Sequence, residues 1–205
     1  MIDTLSILLI GAGGHCKSCI DLISSISEYS IAGIVDRDGS LEVDLLGLDI
    51  LGTDSDLEEL ISKFPKVLIS TGQIKSPVKR IELFEYAKKL GASFPIIKSP
   101  HSFVSKTAMI DEGTVLFHFT VVNSSARIGR NSIINNNALV EHDTQIGSHC
   151  HVSTGALING GVVIEDGCFI GSGAVLHEGI TIGKNSIIGA GKVVKDNISP
   201  HSIIR

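Results

Sequence analysis

Every sixth residue from Val104 to Val194 is aliphatic: Val104, Ile110, Leu116, Val122, Ile128, Ile134, Val140, Ile146, Val152, Ile158, Ile164, Ile170, Leu176, Ile182, Ile188 and Val194. These sixteen positions pass without one insertion. A helix repeats its buried face about every 3.6 residues and a strand every 2. Six is neither. The period fits a solenoid in which each hexapeptide forms one flat side and three sides close one coil. At 18 residues per coil, Val104–Val194 supplies five coils. Four residues beyond the successive aliphatics stand Ala108, Thr114, Thr120, Ala126, Ser132, Ala138, Thr144, Cys150 and Ala156, nearly all small. One aliphatic and one small residue per side fill a thin triangular interior that rings do not enter. Handedness does not follow from the period.

That interior accounts for an unusual composition: 43% hydrophobic and mean hydropathy +0.32, yet only 4% aromatic with no Trp. The apolar residues come in short bursts such as Ile7–Ile10, far from the ~20 consecutive residues of a membrane span. A net charge of −5 offers no basic surplus for nucleic acid or an anionic membrane surface. The opening Met1-Ile2-Asp3-Thr4 lacks the basic and apolar regions of a secretory signal, so a cytoplasmic protein is expected.

The chain changes character near Ser99-Pro100. Lys+Arg numbers 10 and Asp+Glu 14 up to residue 100, against 7 and 8 after it, while seven of the eight histidines follow it. Two domains are expected, 1–99 and 100–205. The first alternates strand and helix signals: Leu5–Ile10, a helix over Cys16–Ile26, a strand over Ile31–Val35 ending at Asp36, a helix to Phe64 capped by Ser55 with Glu58, a strand at Val67–Ser70 and a helix over Pro77–Leu90 closed by Gly91. This alternation predicts a small Rossmann-like parallel sheet, so the fold class is α/β + β. Gly11-x-Gly13-x-x-Cys16 is close to a dinucleotide fingerprint but has Cys at its third position, and ~100 residues are too few for a dehydrogenase sheet.

Residues 18 apart stack in adjacent coils. One column reads Asn123, Glu141, Asn159, His177; the next Ser124, His142, Gly160, Glu178; the next Ser125, Asp143, Gly161, Gly179. His142 and Asp143 therefore each face a glycine, which predicts a vacant notch beside them. Asn137, Gly155, Gly173 and Gly191 form a glycine groove, or mark turns. Cys150 and Cys168 also stack, as reduced core residues; Cys16-Lys17-Ser18-Cys19 reads as ordinary packing rather than a redox pair. No Cys/His spacing suggests a metal site.

With the Gly11-Ala12-Gly13-Gly14-His15 loop ahead of the solenoid, and with Val140-Glu141-His142-Asp143, His149-Cys150-His151-Val152-Ser153-Thr154-Gly155 and Asn159-Gly160-Gly161, the whole chain resembles the NeuD/PglD-type hexapeptide-repeat sugar acetyltransferases. The resemblance implies a left-handed β-helix, a homotrimer with active sites between subunits, and acetyl-CoA as co-substrate without a metal. It implies that His142 is the general base, oriented by Asp143, and that the Gly160 N–H serves the oxyanion. His151, Gly155, Ser172 and Ala190 are then expected to contact acetyl-CoA. Gly13, His15, Asp36, Arg37, Gly72 and Gln73 are expected to hold the nucleotide part of a sugar substrate. The family's Gly-x-Pro-Ala-Lys-like tail has no counterpart at Ile203-Ile204-Arg205.

The chemistry agrees with these residue types. Acetyl transfer needs a base whose pKa lies near working pH, which histidine supplies, a partner that fixes its tautomer, and a donor for the developing oxyanion. The expected reaction is direct attack by the 4-amino group of a nucleotide-linked 4-amino-4,6-dideoxy sugar on the thioester, in bacterial surface-glycan assembly such as O-antigen or capsule. Two alternatives stay open: O-acetylation of a sialic-type sugar, and a non-catalytic sugar-nucleotide-binding solenoid.

Overall fold

The computed structural model describes residues 5–37 and 46–205; the opening Met1–Thr4 lies outside them. The chain divides into two compact units: Met1–Gly72 with Val78–Pro95, and Gln73–Pro77 with Ile96–Arg205. The expected division after residue 99 falls inside the second unit, because β5 (Ile97–Lys98) already pairs with β8 (Val115–Leu116) of the solenoid.

In the first unit β1 (Leu5–Ile10), β2 (Tyr29–Val35), β3 (Ile50–Gly52) and β4 (Val67–Ile69) form a parallel sheet in the order β3-β2-β1-β4. The chain leaves β1 for β2 on one side and later returns to pair β4 on the other. The carboxyl ends of β1 and β4 therefore flank the switch point, where open α/β sheets bind ligands. Helices α1 (Gly14–Ser24), α2 (Leu57–Lys63) and α3 (Val78–Lys89) complete the unit. The cap ahead of α2 differs from the expected Ser55–Glu58 pair. Thr53 and Asp56 form the reciprocal box around a 3₁₀ turn at Asp54–Asp56, because Asp56 accepts the Thr53 N–H at 2.8 Å. Those bonds hold the Asp56 carboxyl below its ordinary pKa.

The second unit is a parallel β-helix of two-residue strands. Its first face stacks β5, β8, β11 (Ile133–Ile134), β14 (His151–Val152), β17 (Phe169–Ile170), β20 (Ile187–Ile188) and β22 (Ile203–Ile204); its second β6 (Phe103–Val104), β9 (Val121–Val122), β12 (Leu139–Val140), β15 (Leu157–Ile158), β18 (Val175–Leu176) and β21 (Val193–Val194); its third β7 (Met109–Ile110), β10 (Arg127–Ile128), β13 (Gln145–Ile146), β16 (Val163–Ile164) and β19 (Thr181–Ile182). Each of the sixteen periodic aliphatics is the second residue of one strand, from β6 (Phe103–Val104) to β21 (Val193–Val194). Pairing offsets are 18 residues, as for Leu139 with Leu157, until the end; there Ile187 pairs with Ile203, so the last coil is two residues shorter. The interior is one continuous aliphatic cluster from Leu116 to Val194 with Ala126, Ala138, Cys150, Ala156, Cys168 and Ala174 at the small positions.

Three rows of corners carry residues with positive φ at 18-residue spacing. Between the first and second faces these are Phe119, Asn137, Gly155, Gly173 and Gly191. Between the second and third they are Ser125, Asp143, Gly161 and Gly179. The expected glycine groove is thus also the row of left-handed turns, where only glycine and short polar residues sit without strain.

All four cysteines are free and fully buried. Burial pushes the thiol pKa of Cys19 up to about 12 and that of Cys168 to about 11, and raises those of Cys16 and Cys150. Titration with a thiol reagent at pH 8 is therefore expected to find no reactive cysteine in the native protein and all four after denaturation. A rapidly reacting native thiol would contradict this packing.

Candidate active site

His142 and Asp143 stand at the corner after β12 (Leu139–Val140), where the chain turns from the second face to the third. Asp143 adopts φ +59°, which brings its carboxylate back beside the preceding ring. His142 Nδ1 lies 2.9 Å from Asp143 Oδ2. The carboxylate can only accept, so Nδ1 carries the proton and the Nε2 lone pair is free to act as a base. Both side chains are about two-thirds exposed (64% and 66%). An exposed pair of this kind contributes little to stability; its effect is to set tautomer and orientation.

Gly160 packs against that ring. A Cβ built on it would come within 2.7 Å of His142 Cε1 and Nε2. The expected notch beside His142 is therefore filled by the imidazole itself, while the space beside Asp143 stays open: a Cβ on Gly161 would meet only the Gly179 Cα, at 4.0 Å. The Gly160 N–H donates no backbone bond among the described residues, whereas Gly161 N–H donates to the His142 carbonyl at 2.9 Å. One donor is thus left beside the base. The sequence assigns Glu141 no role, although its column pairs it with Asn123. Its Oε2 accepts from Asn123 Nδ2 at 2.8 Å and lies 3.4 Å from the His142 N–H, bracing the turn that carries the base.

The expected acetyl-CoA residues fall in two settings. Gly155, Gly173 and Gly191 line the corner between the first and second faces, and a Cβ on any of them meets nothing within 4 Å. Beside this open strip are exposed Ser172, whose Oγ bonds Ser153 Oγ at 2.9 Å, and exposed Ala190. These residues fit a long, flexible thiol ester lying along the corner. His151 is placed differently. It is only 6% exposed on the first face, with Nδ1 donating to the Gln73 carbonyl at 2.6 Å and Nε2 accepting from Asn135 Nδ2 at 3.3 Å. Both nitrogens are already engaged within the protein.

Gln73, expected at the nucleotide, is 2% exposed and belongs to the solenoid unit. Its Nε2 donates to the His149 carbonyl at 2.9 Å, so its amide anchors the 73–77 segment to the first face instead of lining the loop of the first unit. The others gather at the switch point. Gly11 has φ +107°, and a Cβ on it would lie 2.2 Å from Thr71 Oγ1, which brings the ends of β1 and β4 together. Gly13 caps α1 without a side-chain bond, and a Cβ there meets nothing within 4 Å. Asp36 Oδ1 accepts the Ala12 N–H at 3.0 Å, tying the end of β2 to the glycine loop. Arg37 is exposed, and Gly72 lies against His15, a Cβ there falling 3.2 Å from His15 Cβ. The loop thus presents open backbone at a helix N-terminus, a setting suited to phosphate. Among the described residues, no three His, Cys, Asp or Glu side chains stand close enough to hold a metal ion, and no helix is long and apolar enough to cross a membrane.

A short parallel sheet followed by a hexapeptide β-helix with an exposed His–Asp pair defines a two-unit transferase of the hexapeptide class. Two family models match: the PglD N-terminal domain over residues 6–86, and the bacterial transferase hexapeptide (six repeats) over 125–160 and 161–196. Among curated protein sequences none matches. Solved structures do. GDP-perosamine N-acetyltransferase PerB from Caulobacter crescentus, crystallised with CoA and GDP-perosamine, is 30% identical, with 97% of this chain and 92% of that one covered at a TM-score of 0.89. The acetyltransferase domain of PglB from Neisseria gonorrhoeae, in complex with acetyl coenzyme A, is 27% identical over 98% and 95% of the two chains, also at 0.89. WeeI from Acinetobacter baumannii shares the fold at 24% identity and a TM-score of 0.70. The chain belongs to the NeuD/PglD-type sugar acetyltransferases, left-handed β-helix enzymes that use acetyl-CoA as co-substrate.

Proposed function

We propose that the protein transfers the acetyl group of acetyl-CoA to the 4-amino group of a nucleotide-linked 4-amino-4,6-dideoxy sugar, in the cytoplasm, for a bacterial surface glycan. The observation that carries this reading is the His142–Asp143 pair with Nε2 left as the free base beside Gly160. Similarity to the GDP-perosamine N-acetyltransferase supports an amine acceptor, and similarity to the PglB acetyltransferase domain supports acetyl-CoA as the donor. In this reading His142 Nε2 accepts the proton as the amine bonds to the acetyl carbon, and the thiolate of CoA leaves. Asp143 steadies the imidazolium. The Gly160 N–H donates to the carbonyl oxygen as its negative charge develops. The glycine strip from Gly155 to Gly191 holds the CoA arm, and the loop at Gly13, His15, Asp36, Arg37 and Gly72 holds the nucleotide.

The second face supports a trimer. Its outward column is Phe103, Val121, Leu139, Leu157, Val175 and Val193, with Phe103 58% and Val193 56% exposed. The third face carries Met109, Arg127, Gln145, Val163 and Thr181 instead. An unbroken apolar strip on one flat face favours an association surface there. Three copies with their second faces around a common axis put the His142 corner of each against the glycine-strip corner of the next, at equal height along the axis. The active site then lies between subunits.

Incubation with acetyl-CoA and a panel comprising GDP-perosamine, its UDP- and dTDP-linked counterparts and a sialic acid, read by mass spectrometry, tests the acceptor. An amide on a 4-amino sugar is the expected product. An ester on the sialic acid alone would replace this reading, and no CoA release with any acceptor would leave a binding protein.

A further inference from the structure

The corner between the first and second faces continues beyond the glycine strip. Extended toward its start at the 18-residue spacing, the row reads His101, Phe119, Asn137, Gly155, Gly173, Gly191. One edge of the solenoid thus begins with two rings, passes one amide and ends in three glycines.

Phe119 is not explained by the fold. It is 61% exposed, and it adopts φ +59°, in a region that disfavours a bulky side chain. The other corner residues with positive φ in the solenoid are Gly, Asn, Asp, Ser or His, and Phe119 is the only phenyl among the described residues of this kind. A strained backbone that persists with its side chain in solvent points to a ligand. The ring is also held in place. It stacks on His101, with centroids 5.8 Å apart and planes at 24°. His118 completes the group 6.4 Å from Phe119, and its own ring is fixed by a 2.7 Å bond from Nδ1 to Ser99 Oγ.

We propose that the His101–Phe119 ring pair is the platform on which the sugar ring of the acceptor lies, C–H face down. This rests on the transferase reading and on the trimer above. With equal heights meeting, His142 of the partner subunit stands level with Asn137, one coil beyond Phe119 and one coil before Gly155. The base then sits between the rings and the glycines. Donor and acceptor must meet at the base from opposite sides, so if the glycines hold the CoA arm, the rings receive the sugar. Flat rings suit it because the C–H bonds of a deoxyhexose are attracted to a π face, and apolar ring carbon excludes water from the amine.

The test is Phe119→Asn, which installs the residue of the next rank and removes the strain with the ring. The expected result is about a tenfold rise in KM for the amino-sugar nucleotide, with KM for acetyl-CoA and the trimeric mass in solution unchanged and the melting temperature equal or higher. His101→Ala should move the acceptor KM in the same direction by less, and serves alone should Phe119→Asn fail to fold. An unchanged acceptor KM overturns the platform, as does an equal rise in KM for acetyl-CoA or loss of the trimer, which would assign Phe119 to the donor groove or the subunit interface. If the unaltered enzyme acetylates no amino sugar, the transferase reading falls and the platform with it.

Discussion

His142→Ala is expected to lower kcat at least a hundredfold while leaving acetyl-CoA affinity and melting temperature near those of the parent. A positioned general base contributes typically ~10²–10⁴ in rate, and the exposed ring carries little of the fold. Steady-state assay of CoA release, beside calorimetric titration with acetyl-CoA, separates the two quantities. Activity within tenfold of the parent would remove His142 from the mechanism. Asp143→Asn refines the result. The amide can present an N–H to Nδ1, which moves the imidazole proton to Nε2 and occupies the lone pair that the mechanism needs. A fall in kcat comparable to that of His142→Ala, with KM values held, is the signature of a lost tautomer rather than a lost contact.

The solenoid was legible because its rule is short-ranged and uninterrupted. Each turn of the chain repeats one steric requirement, an aliphatic and a small residue per side, so register propagates from Val104 to Val194 and places His142 over Gly160 from spacing alone. It stops being legible where the repeat stops. The shortened last coil depends on how Ile198 and Ile203 re-pair on either side of Pro200, and nothing in the period forecasts it. The contents of the notch were also hidden, since spacing gives columns and not the direction of a ring. Gln73 shows another limit. Its neighbour Gly72 belongs to the sheet unit, but five residues from Gln73 to Pro77 belong to the solenoid, a long-range choice made by the His149 and His151 backbone and ring contacts. Phe119 could have been found: the column that begins at Asn137 needed only to be extended one coil back.

Gly160→Ala is the sharper experiment on the site, because it changes neither the base nor its partner. The new Cβ would lie 2.7 Å from two ring atoms of His142, closer than carbon approaches carbon or nitrogen, so something must move. The backbone of Gly160 is not in the left-handed region and the imidazole is the far end of an exposed side chain. The ring therefore swings away and the fold is kept. A displacement of the base by about 1 Å can cost on the order of 10²-fold in turnover, and that loss in kcat is expected with little change in melting temperature. Gly161→Ala provides the opposite result one residue on. Its Cβ enters open space, 4.0 Å from the nearest atom, but φ is +68°, where an L side chain is strained by roughly 1–2 kcal/mol. Stability should fall there and kcat should not. Equal activity of Gly160→Ala and the parent would mean that Nε2 need not stand where Gly160 holds it. The crossed outcome, kcat lost at 160 and melting temperature lost at 161, would tie turnover to ring position and separate it from the solenoid's stability.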